Sequence, residues 1–108
     1  MANSFKNYFL KNATTTAANV YVAGTGVSAT IIGMSIGNTT SAPITANVTI
    51  VSAGTTYFML QGATIATGGA LVPIGGDQKL VLEAGDYMQV QTSATNSADV
   101  IVSVLEIT

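Results

Sequence analysis

The stretch Pro73-Ile74-Gly75-Gly76-Asp77-Gln78-Lys79-Leu80-Val81-Leu82-Glu83-Ala84-Gly85-Asp86-Tyr87-Met88-Gln89-Val90 decides the fold class. Gly75-Gly76-Asp77 is turn chemistry, since Gly accepts backbone angles closed to other residues and Asp bonds its own backbone. Lys79 to Glu83 then alternates, Ala84-Gly85-Asp86 turns again, and Met88 and Val90 resume the apolar beat. Turn, strand, turn, strand at this spacing describes short antiparallel strands.

The same rhythm continues on both sides. Downstream, Thr92 to Ala98 is a loop of small polar residues, followed by a strand from Asp99 to Thr108 that is apolar on both faces. Such a strand is expected to be central in its sheet or covered by a partner. Upstream, Ile44, Ala46, Val48 and Ile50 alternate with Thr45, Asn47 and Thr49, and Ser52-Ala53-Gly54 joins them to Thr55 to Gln61 as a hairpin. Gln61-Gly62-Ala63 bends the chain. In Thr30 to Asn38 the alternation predicts Ile32, Met34 and Ile36 on one face, with Gly33, Ser35 and Gly37 on the other. Outward glycines cost a strand stability, which another backbone lying against that face would explain. Asn19 to Ala23 is a brief strand. Residues 1–12, with Phe5, Tyr8 and Phe9, form an amino-terminal arm or a first strand, and 13–108 form the domain proper. No window shows apolar residues at helical spacing. The expectation is an all-β chain, a single antiparallel β-sandwich of jelly-roll type with about eight short strands and essentially no helix.

Composition limits function. The 108 residues suit one domain. Cysteine and histidine are both absent, which removes disulfides, thiolate metal sites and the commonest general base and metal ligand. Three lysines and five acids make 7% charged residues, against roughly 25% in an average soluble domain. So few charges, on a chain of net charge −2, give little electrostatic protection against self-association. Part of the surface is therefore expected to be covered by neighbouring copies. The Asn- and Lys-containing start lacks the apolar middle of a signal peptide, so synthesis without export by that route is expected. No segment reaches the roughly 18 apolar residues of a membrane helix.

Little here resembles catalytic machinery. Asp77, Glu83 and Asp86 could offer oxygen ligands to a hard cation, but their spacing fits no loop motif and Asp and Gly are ordinary turn residues. The Gly-rich pairs lack the following helix that a phosphate loop requires. Ser and Thr have no base to activate them. Three scattered lysines cannot neutralise a nucleic-acid backbone. No catalytic, cofactor or metal residues are predicted. The predicted protein contacts are Phe5, Tyr8, Phe9, Gly33 and Gly37.

Residues 30–39, 73–86 and 98–107 resemble a group of short structural proteins of tailed bacteriophages, frequent in phages of aquatic bacteria including cyanophages. The similarity follows the same order over most of residues 4–108, and its matching residues are turn and core positions. The resemblance implies a virion component assembled in the cytoplasm of a bacterial host. The leading expectation is a capsid decoration or cement subunit, contacting other copies of itself (a trimer first) and the major capsid protein or other virion proteins. A neck, tail or baseplate accessory in the same particle is the alternative. A receptor- or carbohydrate-binding module, which would need exposed aromatics at loop tips, is the alternative from another class. Neither nucleic acid nor membrane is expected as a partner.

Overall fold

A computed structural model describes residues 3–74 and 79–108, and the turn at Gly75-Gly76-Asp77 lies outside them. Among the described residues there are nine strands and no helix. They are β1 (Asn3–Ala13), β2 (Ala18–Val22), β3 (Ser28–Asn38), β4 (Ile44–Ser52), β5 (Thr55–Ile65), β6 (Ala70–Ile74), β7 (Leu80–Leu82), β8 (Tyr87–Thr92) and β9 (Ala98–Ile107).

The pairing is that of one long hairpin, rolled up. At its tip β4 pairs with β5; behind them β3 pairs with both β6 and β7, then β2 with β8, and finally β1 with β9, all antiparallel. Rolling adds the pairs β3–β9 and β4–β8. Two sheets result, β1-β9-β3-β6 with β7 also on β3, and β2-β8-β4-β5. This order is the jelly roll expected from the sequence. The expected eight strands occupy eight positions, because β6 and β7 share one side of β3.

Alternation builds the core. Val100, Val102 and Val104 from β9, with Ile31, Met34 and Ile36 from β3, face Ala46 and Val48 from β4 and Met88 and Val90 from β8; all are buried. Branched aliphatic residues suit the pleat and fill the roughly 10 Å between stacked sheets. The doubly apolar β9 is central, paired on both sides.

Ala53 (φ 51°) and Gly54 (φ 80°) form the two-residue loop between β4 and β5, since Ser52 still pairs with Thr55. Left-handed angles at both positions match the twist of a tight hairpin. Gly62 (φ 68°) does not end β5, as the expected bend implied. It sits in a register shift, where its amide donates to Asn47 Oδ1 at 2.7 Å, and the strand runs on to Ile65.

One phase prediction is corrected. The register of β3 against β9 slips between Ile31 and Gly33, so Ile32 is an extra residue on a bulge. Ile31 rather than Ile32 enters the core, and the inward series is Ala29, Ile31, Met34, Ile36 and Asn38. Of the expected arm or first strand, residues 3–12 are strand, with β1 laddered onto β9 from Asn3↔Ile107 to Leu10↔Val100.

Buried polar groups mark the crossings between sheets. Asn38, at the end of β3, donates through Nδ2 to the carbonyls of Ala42 and Ile65, while its Oδ1 accepts from the Thr40 amide and hydroxyl. Where β1 leaves its sheet, the Ala13 carbonyl accepts from the Ser97 amide, and Ser97 Oγ donates to Thr92 Oγ1 at 2.6 Å. No buried side-chain polar atom among the described residues lacks a partner.

Candidate assembly surface

The two sheets differ in what they turn outward. In the second sheet Asn19, Thr45, Asn47, Gln89 and Gln91 face out, amide and hydroxyl groups suited to water. In the first, the register places mostly apolar and very small residues in rows across the strands. Phe5, Leu105, Thr30 and Val81 form one row, with Leu105 paired to both Phe5 and Thr30 and Val81 paired to Thr30. Asn7, Ser103 and Gly33 form the next, tied by a 2.9 Å bond from Ser103 Oγ to Asn7 Oδ1. Phe9, Ile101 and Ser35 follow, with Val72 in the register shift opposite Ser35. The last outward row holds Asp99, Gly37 and Ala70.

The exposure of this face is substantial. Phe5 is 75% exposed, Phe9 69%, Val72 63%, Val81 62% and Ile101 46%. Single exposed apolar residues are ordinary, whereas five on one sheet face form a patch of the kind that marks an interaction site. Its shape follows from the same residues. Phe5, Phe9, Ile101 and Leu105 raise the β1–β9 half, while Gly33, Ser35 and Gly37 leave the β3 strip low. A shallow concavity bounded by Phe5, Lys6, Asn7, Ile32, Ser103 and Val104 lies along the step.

Four of the five predicted contact residues therefore share one face: Phe5, Phe9, Gly33 and Gly37. The fifth, Tyr8, points the other way, because successive strand residues face opposite sides. Within the chain, a Cβ at Gly33 or Gly37 would meet nothing nearer than a neighbouring strand's carbonyl oxygen at 4.0 Å, an ordinary contact. No backbone among the described residues forces glycine there. Ile32, Ile101, Leu105, Val72 and Val81 were not singled out by the sequence. Apolar residues on both faces of β9 were the one signal that could have found Ile101 and Leu105.

Among the described residues charge is sparse on this face, and one ion pair sits at its rim. Lys11 Nζ and Asp99 Oδ2 pair at 2.9 Å, and Asp99 Oδ1 accepts from the Asn12 amide. The lysine, then the amide, hold the Asp99 carboxyl below its ordinary range.

The inward side of β1 carries a different feature. Glu106 Oε2 accepts from Tyr21 Oη at 2.6 Å and from Tyr8 Oη at 3.0 Å, and Oε1 faces Lys6 Nζ at 3.1 Å. The tyrosine rings meet edge-on at 4.8 Å. Tyr21 belongs to the second sheet and Glu106 to the first, so the carboxylate fastens the sandwich along its β1/β2 edge. Its pKa lies below the usual carboxylate range, chiefly because Tyr21 donates to it, with Lys6 and Tyr8 adding to the effect against burial. Burial, then the bond to Glu106, raises the Tyr21 phenol far above its ordinary value and the Tyr8 phenol more modestly.

Glu83 and Asp86 are occupied by their turn. Asp86 Oδ2 accepts from the Glu83 amide, and the Asp86 amide donates to the Glu83 carbonyl, each at 3.0 Å. Asp77 lies outside the described residues, among which no three acids gather to hold a metal ion. Tyr57 and Phe58 are exposed near the β4–β5 tip. They alternate sides and so make no shared platform for a sugar ring.

No family model and no curated protein matches the chain. Among solved structures it is similar to a protein of the disulfide-linked pili that form Bacillus endospore appendages. The TM-score is 0.60 at 16% identity, over 99% of this chain and 87% of that one. At that identity the likeness is one of fold.

Proposed function

We propose that this chain is a non-enzymatic structural subunit of a tailed-phage virion, and within it a capsid decoration or cement protein. The observation that carries the structural role is the outer face of the first sheet, apolar and almost uncharged, on a chain with few charges elsewhere to keep it apart from neighbours. Exposed apolar area of this kind gains free energy when another protein covers it. The virion is supported by the resemblance of residues 30–39, 73–86 and 98–107 to phage structural proteins, in segments that build β3, β6, β7 and β9.

Quantitative electrophoresis of purified virions tests the reading through the stoichiometry of the 10.9 kDa chain. Hundreds of copies per particle place it on the shell. Six or twelve copies move it to a neck, tail or baseplate ring, and its absence from virions ends the proposal.

A second reading has its own support. The similarity in fold to a pilus protein favours a filament subunit, in which copies join head to tail. This chain has no cysteine with which to form disulfide links. Negative-stain microscopy of the concentrated protein separates the readings, because an open filament grows without limit and a decoration subunit forms closed oligomers.

A further inference from the structure

We propose that the outer face of the first sheet mates with the same face of a second copy, about a two-fold axis parallel to the strands. The inference rests on the reading of the chain as an assembly subunit and names the partner of that surface.

Two identical faces brought together about such an axis exchange left for right, so β9 lies over the partner copy's β3 and β1 over its β6 and β7. The rows then fall on themselves reversed. Leu105 meets Thr30, Ser103 meets Gly33, and Ile101 meets Ser35. Phe5 and Phe9 reach toward the strip of Val81 and Val72. In each β9/β3 pair a larger side chain lies over a smaller one, the alternation that lets facing layers interdigitate. The larger β9 side chains of one copy fill the low β3 strip of the other. An axis perpendicular to the strands would set each strand over itself, bulk against bulk, and would leave the glycine strip uncovered.

Area agrees. Four strand positions at about 4.8 Å, along strands of about 37 Å, give roughly 700 Å² per face. Two faces bury roughly 1,400 Å², within the 1,200–2,000 Å² of a specific interface. Charge agrees too: among the described residues the rows Phe5–Val81, Asn7–Gly33 and Phe9–Val72 contain no ionisable group, so pairing these residues desolvates no charge. The order is two, where the sequence suggested three, because a face with a raised β9 beside a low β3 strip is completed by a single copy of itself.

Sedimentation equilibrium of the full chain over a wide concentration range, with circular dichroism as a folding control, tests this. The wild type should dimerise, and Ile101→Lys, on an exposed position that leaves the core intact, should weaken the dimer at least about thirtyfold. The natural lack of cysteine permits a second measurement. Ser35→Cys mixed with Ile101→Cys should cross-link through a short bis-maleimide faster than either variant alone. A monomeric wild type, a dimer indifferent to Ile101→Lys, or equal cross-linking in all three samples overturns the proposal. A monomer that still binds purified capsids, and loses that binding with Ile101→Lys, overturns the pairing while sparing the virion reading. Absence from virions together with an intact dimer overturns only the virion reading.

Discussion

Tyr21→Phe isolates the contact that ties the sheets at the β1/β2 edge. The ring stays buried and only its hydroxyl leaves, so the 2.6 Å bond to Glu106 Oε2 is lost with little repacking. A hydrogen bond to a charged group contributes about 1.5–3 kcal/mol. The lower end applies, because Glu106 keeps Tyr8 and Lys6 and stands at a partly wet edge, its side chain 12% exposed. A loss of about 1.5 kcal/mol corresponds to a fall in Tm of roughly 6–9 °C for a domain of this size. Urea unfolding, at a concentration low enough to keep the chain monomeric, measures it.

The pH dependence gives a second check on the same contact. Glu106 has its pKa lowered by folding, so its contribution is complete above the unfolded value of about 4.3 and is lost as pH falls through the lower folded value. The gap between wild type and Tyr21→Phe should therefore shrink in acid. The Tyr21 phenol has its pKa raised, so its contribution is complete below about pH 10 and is lost as pH climbs above that. The wild type should show this alkaline loss and the variant should lack its share. A loss under about 0.3 kcal/mol, or a gap that is the same at neutral pH and at about pH 2.5, refutes a charge-assisted link.

Asn38→Ala should cost about 2–4 kcal/mol in urea unfolding, since it strands the buried carbonyl of Ile65 and frees the turn held by Thr40. Gly54→Val should cost about 1–2 kcal/mol, because a branched residue is forced to φ 80° at the β4–β5 loop; calorimetry reads the drop in Tm. Asp99→Asn should cost under about 1 kcal/mol, as its partner Lys11 has a side chain 76% exposed, and the small loss should fade in high salt.

Strand positions and turn chemistry were legible from local pattern. Ala53-Gly54 gave the hairpin, Ala84-Gly85-Asp86 the turn before β8, and the doubly apolar β9 its central place. Phase was harder. A bulge adds one residue without changing the residue types, so the alternation through Ile31-Ile32-Gly33 read smoothly across a slip that exchanged which isoleucine is buried. Tyr8 was grouped with Phe5 and Phe9 for being aromatic, although strand geometry alone sends it to the opposite side. Its partners Tyr21 and Glu106 are remote in sequence, and no local signal joins them.

By itself, then, the sequence determined an all-β chain without histidine or cysteine, because period-two alternation, glycine turns and missing residue types are local properties. Only the tertiary structure decided which apolar residues share a surface. Phe5, Leu105, Thr30 and Val81 come from four strands scattered along the chain, and they line up only because cross-strand register fixes neighbours that sequence distance does not.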